Sequence, residues 1–202
     1  MINEQNLRKM YLEKGLSMQE IAVKIHRSLH FVQYWMKKHH IVTRTRSEAI
    51  YLKNNPNGDP FLIKSSFNKS DLVLMGLGLG IWWGEGYKRH QGAVRVGNSD
   101  PRLLKAFIKF LKIICGVKDE KLLFGLQIFS DIEPRVAKRY WVKELKVSSK
   151  RFLPKVVITP KRGQGTYKHR SKYGVLTIYC INTKLRKVMD MLMEKYAVQK
   201  DH

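Results

Sequence analysis

Apolar residues recur at helical spacing in some segments and in strict alternation in others. Leu7, Met10 and Tyr11, with Lys14, fall on one side of a helix predicted over 3–14, and Gly15 ends it. Ser17 and Glu20 form an S-x-x-E capping box, in which each side chain satisfies the other residue's free backbone N–H. A second helix therefore starts at Ser17, with Met18, Ile21, Ala22 and Ile25 inward. Ile25-His26-Arg27 makes a turn. Ser28 caps a third helix running to about His39, with Leu29, Val32 and Trp35/Met36 inward.

The run Asn54-Asn55-Pro56-Asn57-Gly58-Asp59-Pro60 cannot continue a helix. It opens a linker over 54–69 between a small module, 1–53, and a larger one, 70–202. Beyond the linker, Ser70-Asp71 reads as the cap of an apolar, glycine-rich helix. Val94 and Val96 alternate with Arg95, so Tyr87–Asn98 reads as a hairpin. Asp100-Pro101 caps a long helix with Leu103, Leu104, Phe107, Ile108, Leu111 and Ile114 on one face. Strands are expected over Leu122–Ser130, Lys155–Pro160 and Gly174–Ile181, with a helix over Glu133–Lys146 between the first two. Asn182 or Thr183 starts a last helix faced by Leu185, Val188, Met189, Leu192 and Met193. The fold class is α+β.

Charge changes the picture more than any single motif. The 202 residues carry 39 Lys+Arg against 16 Asp+Glu, a net +23, while 44% are hydrophobic. That is a globular composition with a basic excess. The excess is spread over both modules, +6 over residues 1–55 and +17 over 56–202. Packed together, such charges repel unless a polyanion offsets them, so the expected partner is nucleic acid, first of all double-stranded DNA. No stretch is long and apolar enough to cross a membrane and the N-terminus is too polar for a signal peptide, so no membrane partner is expected. The two cysteines, Cys115 and Cys180, form no CxxC pair, and the histidines show no zinc spacing. A reducing cytoplasm, with nucleoid association in a prokaryote, is the expected location.

Three short helices with a tight turn before the last make a helix-turn-helix pattern, carried by GLSMQEIAVKIHRSLHFVQYWMKKH. In such modules the third helix enters the major groove. The residues placed to touch DNA are Arg27, Ser28, His30, Gln33, Tyr34 and Lys37; Gln suits adenine and Arg suits guanine. A helical protein-binding module is the alternative. Arg44 and Arg46, in Thr43-Arg44-Thr45-Arg46-Ser47, read either as an arm for a narrow minor groove or as the start of a solvated linker. In the larger module, Lys88, Arg89, His90, Gln91 and Arg95 are candidate DNA contacts. So is the acid-free segment with Lys161, Arg162, Lys168, Arg170 and Lys172, unless it is simply a solvated basic loop.

Gly76, Gly80 and Gly84 share one face of the glycine-rich helix, which suits close approach of another helix backbone. Glu85 ends the stripe and is the only acid between Asp71 and Asp100. Here GLGIWWGEG, Gly78 to Gly86, resembles the signature helix of the LAGLIDADG homing endonucleases. Gly80 falls on its first glycine, Gly84 on its small residue, Glu85 on its final acid and Gly86 on its closing glycine. Trp83 stands where the signature has its first aspartate. The resemblance implies an α/β core over roughly 70–197, with a mostly antiparallel, saddle-shaped sheet covered by helices and lying along the major groove.

It further implies two signature helices packed side by side. With one motif per chain, that means a homodimer through Gly76, Gly80 and Gly84. Glu85, with the Gly84 carbonyl, would hold Mg²⁺ or Mn²⁺ at the scissile phosphates, and Lys155, Lys161 or Lys172 would assist. The reading of the residues alone makes Glu85 a helix-end acid tied to Lys88 or Arg89. The expected function is therefore a sequence-specific, metal-dependent DNA endonuclease. The alternative within the same scaffold is a transcriptional regulator that binds without cutting, and an RNA-binding maturase comes third.

Overall fold

The structure is a computed structural model that describes residues 2–89, 92–160 and 171–197. The chain divides into two compact units, residues 1–59 and 60–202.

The first unit is helical. Asn3 caps α1 (Glu4–Arg8), which passes without a break into a π-helical stretch, Lys9–Glu13. Gly15, at φ 68°, turns the chain. α2 (Met18–Lys24) carries the capping box read from the sequence: the Ser17 N–H donates to Glu20 Oε2 at 2.7 Å, and the Glu20 N–H donates to Ser17 Oγ at 3.1 Å. α3 (Leu29–Lys38) starts on Ser28, whose Oγ accepts from the Phe31 N–H.

α2 and α3 end alike, each through a histidine in the left-handed region. At the end of α2, with His26 at φ 55°, the Arg27 N–H returns to the Ala22 carbonyl. At the end of α3, with His40 at φ 49°, the Ile41 N–H returns to that of Met36. This is the six-to-one bond of a Schellman turn, usually built with glycine. Leu7, Tyr11, Ile21, Ala22, Val32, Met36 and Ile41 make the core.

The segment expected as an arm differs. Thr45 and Glu48 form a second capping box that starts α4 (Arg46–Asn54), a helix with no buried residue.

The second unit takes up most of the expected linker. The Leu62 N–H donates to the Cys115 carbonyl and the Lys64 N–H to that of Ile114, while Phe61, Ile63 and Phe67 pack on the core. α5 (Lys69–Glu85) begins on Asn68, not on Ser70-Asp71. Asn68 and Asp71 form the box, and the Lys64 Nζ donates to Asp71 Oδ2 at 2.6 Å. The Lys64 ammonium holds the Asp71 carboxyl below its usual value. β1 (Val94–Asn98) meets the end of α5 through a single antiparallel bridge between Gly86 and Val96; of the expected hairpin only this one strand forms among the described residues, with His90 and Gln91 outside them.

Asp100 caps α6 (Pro101–Ile113). β2 (Leu122–Phe129), α7 (Pro134–Leu145), β3 (Val157–Thr159), β4 (Val175–Cys180) and α8 (Thr183–Ala197) follow. The architecture is α+β, with eight helices and one four-stranded sheet among the described residues. The sheet is ordered β1-β4-β2-β3. β4 runs antiparallel to β1 and β2, whereas β3 lies parallel to β2, which makes the sheet mixed.

Alternation then decides everything about the two faces of the sheet. Val94, Val96, Leu122, Phe124, Leu126, Ile128, Leu176 and Ile178 are buried under α5, α6, α7 and α8. None of the residues of the opposite face belongs to this core: Arg95, Gly97, Leu123, Gly125, Thr177 and Tyr179 are half-buried and Gln127 is exposed, and this is the uncovered face.

Candidate nucleic-acid interface

The residues expected on the groove-facing side of α3 are accessible together: Arg27, Ser28, His30, Gln33, Tyr34 and Lys37 are all exposed. Val32 and Met36 of the same helix are in the core, and Gln33 and Lys37 border a groove that Met36 also lines. Ser28 serves as the helix cap, so its oxygen already accepts a backbone N–H. The Arg27 guanidinium sits 5.7 Å from the Phe31 ring, and Lys38, which the sequence reading passed over, lies 4.9 Å from that of Trp35.

Arg44 is not an arm. Its guanidinium lies 3.9 Å over the Tyr11 ring and donates to the carbonyls of Gly15 (2.8 Å), Leu16 (3.0 Å) and Tyr11. The Tyr11 carbonyl lies in the last turn of the first helical stretch, where backbone acceptors lack intrahelical partners, and those of Gly15 and Leu16 lie in the turn that follows. Arg44 is therefore a tether within the first unit. Arg46 opens α4 and is exposed.

In the second unit the uncovered sheet face is built in rows. Arg95 stands opposite Tyr179, and Tyr179 opposite Leu123; Gly97 stands opposite Thr177, and Thr177 opposite Gly125. A Cβ on Gly125 would come within 2.8 Å of the Tyr179 ring, and one on Gly97 within 2.8 Å of Thr177 Oγ1. The two glycines thus leave the space that the Tyr179 and Thr177 side chains occupy. The Arg95 guanidinium is held 5.4 Å from the Tyr179 ring and 5.9 Å from that of Tyr87, and its Nε has no hydrogen-bond partner among the described residues. Tyr179 and Thr177 were missed from sequence. The alternation of Thr177 and Tyr179 with buried Leu176, Ile178 and Cys180 was the signal that could have found them.

The glycine-rich helix has two different sides. Gly78, two residues off the stripe, makes the close contact within the chain: a Cβ there would fall 2.1 Å from the Phe110 ring on α6. Gly76, Gly80 and Gly84 face open space, with nothing within 4 Å of an added Cβ. Beside them Leu72, Val73, Leu77 and Trp83 are exposed, Trp83 at 60%. Gly76, Gly80 and Trp83 line an apolar trough closed by Met193 and Tyr196 of α8.

Glu85 ends this helix exposed and forms no hydrogen bond or ion pair among the described residues. Lys88 does not pair with it as a salt bridge but folds back under the helix. Its Nζ donates to the carbonyls of Trp83, at 2.7 Å, and Trp82, and lies 4.9 Å from the Trp82 ring. Buried Arg186, 3% exposed, lies 4.7 Å from the same ring, donates to the Lys88 carbonyl at 3.4 Å and pairs with Asp190. Burial and the Arg186 charge lower the Lys88 ammonium below its usual value, against the pull of Glu85.

No cluster of three His, Cys, Asp or Glu able to hold a metal occurs among the described residues. A hard divalent cation asks for several oxygen ligands. Of the expected ligands one chain offers the Glu85 carboxylate and the Gly84 carbonyl, while Lys88 occupies the neighbouring carbonyls of Trp82 and Trp83. A single chain therefore does not fit Mg²⁺; a fit requires a second carboxylate from elsewhere.

Of the suggested assisting lysines, Lys155 is exposed ahead of β3 and Lys172 is exposed beside Tyr173. Lys161, Arg162, Lys168 and Arg170 lie outside the described residues. Arg89 is exposed. No described helix is long and apolar enough to cross a membrane. No family model, curated protein or solved structure matches this chain.

Proposed function

We propose that this chain is a sequence-specific double-stranded DNA-binding protein that acts as a homodimer and cuts DNA as a LAGLIDADG-type endonuclease. The observation that carries the reading is the bare side of α5, with Gly76, Gly80 and Gly84 open and the unpaired Glu85 at its end. An all-round apolar helix is normally buried all round. A second copy packed on the stripe supplies the missing cover and brings a second Glu85 beside the first. Mg²⁺ or Mn²⁺ bound by such a pair would supply an activated water and charge stabilisation at the phosphate. The chain's own contribution is binding: the uncovered sheet face with Arg95, Tyr179 and Thr177 lies along the duplex, and the helix-turn-helix unit adds Arg27, Gln33 and Lys37 as base and phosphate contacts.

A regulator that binds without cutting has one specific observation in its favour. Lys88 already places a positive charge on the carbonyls at the end of α5. The two readings part on one experiment: the protein is incubated with Mg²⁺ or Mn²⁺ and duplex DNA carrying the flanks of its own gene. An endonuclease nicks or cuts it, and Glu85→Gln abolishes cutting without weakening binding. Specific binding with no cleavage in either metal selects the regulator.

A further inference from the structure

The helix α7 carries a second charged surface that the sheet face does not explain. Its buried side, Ala137, Trp141 and Leu145, packs into the core. Arg135, Arg139, Lys143 and Lys146 recur at steps of four and three on the other side and form one ridge, with the half-buried Lys138 at its edge. Lys150 and Arg151 continue it in the turn capped by Ser148. Arg135, Lys138, Arg139, Val142 and Lys143 line a shallow groove that Ser149 closes.

None of these seven cations is paired with a carboxylate among the described residues. The one acid between residues 134 and 151, Glu144, is drawn to Lys105 of α6 at 3.0 Å. Lys138 rests 5.2 Å from the Phe152 ring. Seven like charges gathered on one ridge repel one another, and a polyanion relieves that.

We propose that this ridge docks the phosphate backbone of a second segment of duplex DNA, separate from the segment on the uncovered sheet face. The inference rests on the DNA-binding reading and adds a second contact to it. Charge and geometry both favour a nucleic-acid backbone. From Arg135 to Lys146 the ridge runs about 17 Å at 1.5 Å per residue, the axial span of about five phosphates on one strand. Geometry also separates the two surfaces. α7 packs its core side toward the covered face of β2, so its cationic side points away from the sheet. A straight duplex lying on the uncovered face does not reach it. One molecule therefore holds two duplex segments.

The test uses the full chain and two random-sequence duplexes, one fixed to beads and one fluorescent. The wild type is expected to capture the fluorescent duplex on the beads. Arg135→Gln/Arg139→Gln/Lys143→Gln still binds the fixed duplex but captures the second far more weakly, measurably so only at low salt. The log–log salt slope of that capture shrinks by about 2.7, or about 0.9 for each phosphate contact. A second variant, Lys146→Gln/Lys150→Gln, moves it the same way by about 1.8. Circular dichroism identical to wild type shows that these exposed positions leave the fold intact. Wild type that binds one duplex without capturing the other overturns the inference, as does undiminished capture by the variants. Wild type that binds no duplex at all overturns the DNA-binding reading itself and this one with it.

Discussion

Lys88 donates its ammonium to the carbonyl of Trp83 at 2.7 Å, just beyond Glu85, the last residue of α5. A cation here meets the last carbonyls of the helix, of which that of Trp82 also accepts the Gly86 N–H, and the negative end of the helix dipole. Lys88→Met removes both contacts. It also relieves the desolvation and the Arg186 repulsion that lower the ammonium, so the net cost is expected to be about 0.5–1.5 kcal/mol. Urea unfolding followed by tryptophan fluorescence measures this, and Lys88→Arg should recover part of the loss. An unchanged midpoint for Lys88→Met would remove the cap from the account.

The glycines of α5 should respond in opposite directions. Gly78→Ala drives a methyl into the Phe110 ring, an overpacking expected to cost about 1–3 kcal/mol. At Gly76 or Gly80 an alanine meets nothing, so helix propensity alone acts, and the monomer should gain about 1 kcal/mol. The same Gly80→Ala change should weaken self-association in sedimentation equilibrium, because its methyl stands where the second helix packs. Gain in both stability and association would contradict the role given to the stripe.

Arg44 and Arg27 should separate folding from binding. Arg44→Ala leaves the carbonyls of Tyr11, Gly15 and Leu16 without their donor and should destabilise the first unit by about 2–3 kcal/mol. Arg27→Ala touches no such contact. It should leave thermal unfolding unchanged and weaken duplex binding, as measured by fluorescence anisotropy.

Asp71 gives the second unit an acid-sensitive component. Its carboxyl is held below its usual value by the Lys64 ammonium first, and by the Asn68 backbone N–H. A depressed carboxyl stabilises the folded state fully above its unfolded value, and that share is lost as pH falls through the lower folded one. The stability difference between wild type and Asp71→Asn should be full above about pH 5 and shrink steadily below about pH 4. A difference independent of pH over that range would show that the pair with Lys64 contributes nothing.

Where a structural signal is local, the sequence carries it. The boxes at Ser17/Glu20 and the cap at Asp100 ahead of Pro101 need only a few adjacent residues, and both form as expected. The box at Thr45/Glu48 was equally legible, yet α4 buries nothing, and without an apolar stripe its arginines read as an arm. Asn68 and Ser70 are both good caps; Lys64, folding onto Asp71, tips the choice to Asn68. Tertiary partners decide the rest. Periodicity put Gly76, Gly80 and Gly84 on one face but did not reveal that Gly78 makes the contact within the chain. Nothing local marks Arg44 as a tether, Arg186 as a buried neighbour of Trp82, or β3 as parallel to β2. The exposed Glu85 at the end of α5 was legible; the Lys88 ammonium on the same helix end was not.

The pairing of two α5 helices is tested most directly by Gly80→Cys. The native thiols are buried, Cys115 pushed up to about 12 and Cys180 to about 11 by desolvation, so the new exposed thiol is the reactive one. If two copies pack through the stripe, their position-80 Cα atoms come within about 7 Å, close enough to bridge. Mild oxidation should then convert Gly80→Cys to a disulfide-linked dimer on a non-reducing gel, while Lys143→Cys, on the exposed ridge of α7, stays monomeric. A Gly80→Cys protein that remains monomeric under the same oxidation would contradict the account.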